Sequence, residues 1–193
     1  MNADFEAGFA HDPAGVAANV TRGVATGVAG LSIEDSTGDA SKPLYEMTLA
    51  VERIRAARKA IDDSGSGVML VGRCESFLVG KPDLDATIAR LVAYAEAGAE
   101  CLYAPGLKTK EQISAVVKAV APKPVNVLMG APGWSAAELA DLGVRRISVG
   151  GALARAAWGA FLRAARDIAD NGSFAEFGKA VPFAEINAMF AKT

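Results

Sequence analysis

Gly30-Leu31-Ser32-Ile33-Glu34-Asp35-Ser36-Thr37-Gly38-Asp39 is the stretch whose reading decides the fold. It begins as a short apolar strand and ends on two adjacent carboxylates. A turn rich in Ser, Thr, Gly and Asp follows, and then a long helical run. In parallel α/β proteins, ligands sit beyond the carboxyl ends of strands. A carboxylate pair there is placed to hold a divalent cation, with the following loop free to cover it. The local sequence equally allows Asp35 to cap the loop while Glu34 is solvated.

The same unit recurs on both sides of this stretch. Upstream, Asp12-Pro13 marks a helix start, Asp12 as cap and Pro13 in the first turn. That helix is expected over 14–26, ending at Gly27, and the strand over 28–33. Downstream, Met47, Val51 and Ile54 recur at helical spacing over 44–61. A strand is expected over 68–74, then a helix from its cap Asp83 through Glu96, then a strand over 101–104. Thr109 with Gln112 forms a capping box for a helix over 110–120, followed by a strand over 125–129. Ser135 with Glu138 opens a short helix that stops at Gly143. A strand over 144–149, a long helix over 152–169 and a last helix over 183–190 complete the chain. Strand and helix alternate five times, and right-handed parallel crossovers are expected. Spacing alone allows an open doubly wound sheet or a segment of a (β/α)₈ barrel. No dinucleotide fingerprint follows the first strand, and there is no Walker sequence.

Composition narrows the function classes. The chain has 193 residues, which suits a single domain over 1–193 with a real core. Hydrophobic residues make up 51%, and Lys plus Arg (20) nearly balances Asp plus Glu (22). Nothing basic points to nucleic acid or to an anionic membrane. Cys74 and Cys101 lie on separate strand-like runs and make neither a metal cluster nor a disulfide framework. The first residues are polar and acidic rather than signal-like, and the apolar runs are too short or interrupted for a membrane span. The cytoplasm is the expected location.

Polar residues gather at strand ends. Asp4, Glu34, Asp35, Arg73, Glu75 and Asn126 all fall at or near the carboxyl ends of strand-like runs. Convergence from several strands is the usual construction of a barrel active site. Asp4 and Glu34 are expected to supply oxygens to Mg²⁺, directly or through water. The fork of Arg73 suits a substrate carboxylate or phosphonate; its alternative is an ion pair with Glu75 or Glu34. Asn126 suits another substrate oxygen, and Glu75 is grouped with these two on the substrate side. His11, the only histidine, reads as a solvated loop residue and Lys42 as an exposed lysine. Tyr45 reads as a proton donor or as the first apolar contact of its helix. No nucleophile elbow is present.

At these residues the chain resembles the isocitrate lyase/phosphoenolpyruvate mutase superfamily, in its small bacterial phosphonomutase-like and 2-methylisocitrate-lyase-like branch. Asn2-Ala3-Asp4-Phe5-Glu6-Ala7-Gly8-Phe9, Gly30-Leu31-Ser32-Ile33-Glu34-Asp35, Gly72-Arg73-Cys74-Glu75-Ser76-Phe77 and Leu142-Gly143-Val144-Arg145-Arg146-Ile147 carry the resemblance. It implies an α/β barrel, Mg²⁺ or Mn²⁺, and chemistry on a 2-oxo acid or enolpyruvate-type substrate. Carbon–carbon or phosphorus–carbon bonds would be cleaved or formed through a metal-stabilised enolate. By the same resemblance, Asp4, Glu34 and Asn2 fall in the metal environment, Arg73 grips the substrate, and Glu34 and Arg73 are the catalytic pair.

Three departures from the superfamily pattern set further expectations. Asn2 stands where the pattern has a second aspartate, which removes one negative charge from the metal environment. The loop Ser36-Thr37-Gly38-Asp39-Ala40-Ser41-Lys42-Pro43-Leu44 has no cysteine to act as a lyase acid, and it lacks the mutase pattern. The resemblance starts at the end of the third barrel strand. A partial barrel of about five full parallel strands is therefore expected, lacking its N-terminal part, with an upstream extension of roughly 60 residues to complete it. Alternative functions are an oxaloacetate-type decarboxylase, or a non-catalytic truncated remnant or oligomerisation partner. Trp158 and Phe161 exceed what one helix stripe needs, so a homo-oligomer burying Trp158 or Phe174 is expected.

Overall fold

The computed structural model describes residues 1–191. Six strands form one all-parallel sheet in the order β1-β2-β3-β4-β5-β6. They are β1 (Asn2–Asp4), β2 (Gly30–Glu34), β3 (Met69–Arg73), β4 (Cys101–Tyr103), β5 (Val125–Leu128) and β6 (Arg146–Ser148). A doubly wound sheet reverses its strand order at a switch point. Here every crossover steps to the next position, which is the winding of a barrel wall. Five of these strands are the expected complete ones, and Asn2–Asp4 forms a sixth, short one. The sheet is open among the described residues, with β1 and β6 at its edges. It is thus a partial barrel, and β2, the carboxylate strand, lies one position in from an edge.

Each crossover helix is fixed by its own start signal. In α1 (Pro13–Val24) the Asp12 carboxylate accepts from the Gly15 N–H, and Val16, Val20 and Val24 form the buried stripe. In α3 (Leu84–Glu96) the Asp83 side chain caps Ala86, and Leu91 and Tyr94 are buried. Both expected capping boxes are formed, at the starts of α4 (Lys110–Val120) and α5 (Ala136–Asp141). The helix α2 (Met47–Asp63) starts three residues later than its periodicity suggests. Leu44 is held instead in a bridge to Ser36, and the Tyr45 N–H donates to the Asp35 carbonyl. Leu31, Ile33, Leu70, Leu102, Val125 and Val127 meet these helices in one continuous core. A much smaller cluster of Val71, Cys101 and Tyr103, with Leu128 against it, fills part of the opposite face.

These elements make a first compact unit, Met1–Ser148. A second unit begins at Val149. It contains α6 (Ala152–Asn171), a 3₁₀ turn at Ala175–Lys179 and α7 (Phe183–Met189). Gly172 ends α6 in the left-handed conformation, φ 62°. No described helix is long and apolar enough to cross a membrane.

Candidate active site

Side chains alternate along a strand, so every second residue of the sheet points away from the helix layer. Parallel register aligns Glu34 with Arg73, Arg73 with Tyr103, Tyr103 with Asn126, and Asn126 with Arg146. Five neighbouring strands thereby present one row of polar residues near their carboxyl ends. Asp4, on β1, is level with Ser32, and its side chain reaches the same row.

Arg73 is the centre of this row. Its Nε donates to Glu75 Oε1 at 2.5 Å and lies 3.1 Å from Glu34 Oε2, while Nη1 donates to Asp4 Oδ1 at 3.1 Å. The Tyr103 ring lies 5.2 Å from the guanidinium carbon. Burial pulls the pKa of Arg73 down, but the Glu75 hydrogen bond and the three carboxylates outweigh it, and the net shift is upward. Nη2 is left out of all these bonds. Glu34 is pushed up to about 7, because burial outweighs the attraction of Arg73, and Glu75, Asp4 and Glu6 add repulsion. Burial likewise raises Glu75 against the pull of Arg73. Both alternatives foreseen for Arg73 as an ion-pair partner are therefore realised at once.

The second carboxylate of the pair has a different task. Asp35 is buried and accepts from the Glu75 N–H (2.8 Å), the Tyr94 hydroxyl (2.6 Å) and Arg90 (3.1 Å). It neither caps its own loop nor faces the row. It fixes the chain after β3 and so the place of Glu75. Its strand neighbour Glu34 points the opposite way, as strand alternation requires.

Beyond Arg73, Asn126 is fully buried, and its Nδ2 donates to the Ser148 hydroxyl at 2.9 Å. Its Oδ1 is a buried acceptor with no hydrogen-bond partner among the described residues. Ser148 also hydrogen-bonds Tyr103, whose phenol is held neutral mainly by burial. Tyr103 and Ser148 escaped the sequence reading. Aligning the strand ends would have placed Tyr103 beside Arg73, since the two are register partners.

The remaining sequence-selected residues fall as follows. Asn2 donates to the Ala3 carbonyl, and its Oδ1 lies 2.7 Å from where a Cβ on Gly30 would stand, so any larger residue at 30 would push the Asn2 side chain aside. His11 is not simply solvated: Nδ1 lies 2.6 Å from the Tyr45 hydroxyl. Tyr45 is therefore tied to the loop after β1 in addition to the core. The Lys42 carbonyl accepts from the Thr37 hydroxyl, which keeps the 36–45 loop folded on itself.

Among the described residues, no group of three or more His, Cys, Asp or Glu side chains is arranged to hold a metal. The oxygen-only set of Asp4 and Glu34 still fits Mg²⁺ in its common mode, in which one or two carboxylates bind and water and substrate complete the octahedron. Asp4 is exposed at the strand end, which leaves room for that water.

Comparison with known proteins supports this reading of the fold. Residues 1–169 match the family model described as phosphoenolpyruvate phosphomutase. A protein from Burkholderia cenocepacia J2315, provisionally described as a lyase/mutase, has a crystal structure that is 50% identical with a TM-score of 0.94. The match covers 99% of this chain and 69% of that one. The crystal structure of 2,3-dimethylmalate lyase, a member of the PEP mutase/isocitrate lyase superfamily, is 27% identical with a TM-score of 0.83. It covers 97% of this chain and 66% of its own. An oxaloacetate decarboxylase of Rhodopseudomonas palustris BisB5 is 35% identical over 136 residues, which are 66% of this chain and 44% of the decarboxylase.

Proposed function

The chain belongs to the phosphoenolpyruvate phosphomutase family, and from that premise we propose a Mg²⁺-dependent lyase or mutase-like activity on a 2-oxo acid of the oxaloacetate or enolpyruvate type. The observation that carries this reading is Arg73, half-buried and charged, set between Asp4, Glu34 and Glu75 at the carboxyl ends of neighbouring strands. Mg²⁺ bound at Asp4 and Glu34 would stabilise the negative charge that develops on an enolate. Arg73 offers Nη2 to a substrate carboxylate, and Glu75 keeps the fork oriented. Asn126 stands in the same row with a buried acceptor unpaired among the described residues, and Tyr103 adds a neutral hydroxyl.

Decarboxylation is the specific reaction favoured by the 36–44 loop, which has no cysteine to serve as a lyase acid, and by the likeness to oxaloacetate decarboxylase. In that reaction the C3–C4 bond of oxaloacetate breaks and CO₂ leaves. The electron pair is delocalised onto the C2 oxygen, and a proton returns to C3 to give pyruvate. The test is a coupled assay for pyruvate release across 2-oxo and 2-hydroxy diacids, with and without chelator. Metal-dependent pyruvate formation is expected from at least one of them. No metal-dependent turnover on any would favour the non-catalytic remnant.

We also propose a homo-oligomer. In α6 no residue is buried, and Leu153, Trp158 and Phe161 are exposed on it, as is Phe174 beyond it. Light scattering at micromolar concentration is expected to give a mass above that of the monomer; a monomer would refute this.

A further inference from the structure

Arg53 is the largest fully buried side chain of the described residues, yet it makes no ion pair with a carboxylate among them. An isolated buried charge is costly unless hydrogen bonds compensate it. The guanidinium donates to the backbone carbonyls of Ala10 (2.6 Å), His11 (2.5 Å) and Ala7. Its other face stacks on the Tyr45 ring, 4.1 Å from the centroid.

These bonds belong to a larger pattern. The loop after β1 has six consecutive carbonyls, from Glu6 to His11, and each accepts a hydrogen bond from another element. Glu6 accepts from the Glu34 N–H. Gly8 and Phe9 accept from the Asn19 amide on α1. Ala7, Ala10 and His11 accept from Arg53. The same loop holds Glu6 at φ 46° and Phe9 at φ 52°, left-handed conformations that non-glycine residues adopt only where the surroundings impose them. The loop directly follows Asp4 and is bonded to the backbone of Glu34. Arg53 also lines a small cleft with Glu34, Asp35, Arg73 and Tyr94.

We propose that Arg53 is a positioning residue. Its single cation draws the loop after β1 inward and thereby sets Asp4 and Glu34 relative to Arg73. Arginine is needed rather than lysine, because a planar fork serves three carbonyls and stacks on an aromatic ring at once. The consequence for cation binding rests on the function proposed above; the bracing of the loop does not.

The test uses the whole chain with Arg53→Lys and Arg53→Ala. Hydrogen exchange at the amides of residues 6–11 and of Glu34 should quicken by about tenfold in both variants, with α3 and α4 amides unchanged. Mn²⁺ affinity should fall by about tenfold, the usual cost of losing a group that orients a ligand. Millimolar guanidinium should restore both readouts in Arg53→Ala and leave wild type unaffected. A merely structural residue would change protection everywhere together. Should Arg53→Ala not fold, Arg53→Lys decides the matter. Unchanged loop exchange in folded Arg53→Lys, or a uniform rise across α3 and α4, would overturn the proposal. Wild-type protein that takes no Mn²⁺ would count against the metal reading alone, because the exchange measurement still reads the bracing of the loop.

Discussion

Arg73 and Cys74 are consecutive in sequence and lie on opposite faces of the chain, as do Glu34 and Asp35. Cys74 and Asp35 face the helix layer. Burial there pushes the Cys74 thiol up to about 12, and Asp35 is fully satisfied by three donors. Arg73 and Glu34 face the other way, into a row where one guanidinium is shared among three carboxylates. The helix-facing side is held by area and by completed bonds. The opposite side keeps atoms in reserve: Nη2 of Arg73, Oδ1 of Asn126, and a Glu34 carboxyl poised near neutrality. One residue of register separates a group that holds the fold from a group that is available to a ligand.

The largest test of this contrast is Asp35→Ala. It leaves the Arg90 charge and the Tyr94 hydroxyl without their buried acceptor, and we expect a loss of about 3–5 kcal/mol, read from urea unfolding. A loss below about 1 kcal/mol would mean that Asp35 belongs with the reserve groups.

Glu34 gives a smaller effect, with a definite sign. Its folded pKa lies above the ordinary glutamate value, so the folded chain binds more protons than the unfolded chain between that value and about 7. This group's contribution to stability is therefore present at low pH and is lost as pH rises through the window, with a slope of about 1 kcal/mol per pH unit at its steepest. Glu34→Gln should flatten that part of the stability profile. An unchanged slope would assign it to another group.

The smallest effect is expected at Cys74. Cys74→Ala removes one buried sulfur from the helix-facing core and should cost about 1 kcal/mol, with ligand binding unaltered. A change in binding without a change in stability would erase the distinction between the faces.

Much of the helix-facing side was legible in the sequence. Strand alternation, the two capping boxes and the Asp83 and Asp12 caps are short-range signals, and all of them formed. Spacing alone did not choose between a doubly wound sheet and a barrel wall, because strand order is a property of crossovers rather than of any one segment; the family resemblance chose the partial barrel, and the strand order bears it out. The carboxylates and Arg73 could be selected by their place at strand ends. Their mutual pairing could not, since Asp4 and Arg73 are 69 residues apart in the chain. The role of Asp35 was hidden for the same reason: Tyr94 and Arg90 arrive from α3. Tyr45 looked like the start of a helix by spacing, but a backbone bond to Asp35 keeps it outside. Arg53 sits at a helical core position that a charge-based reading assigns to solvent.

The central claim is that Arg73 is the anion-holding centre of the site rather than only the hub of an ion-pair network. Titration calorimetry with oxalate in the presence of Mg²⁺, comparing wild type with Arg73→Lys, tests it most directly. Lysine keeps the charge that balances the three carboxylates and loses the fork. The account predicts measurable oxalate binding by wild type and at least a roughly tenfold weaker affinity in the variant, with no loss of folded protein. Equal affinity in the two proteins would contradict it and place the anion elsewhere.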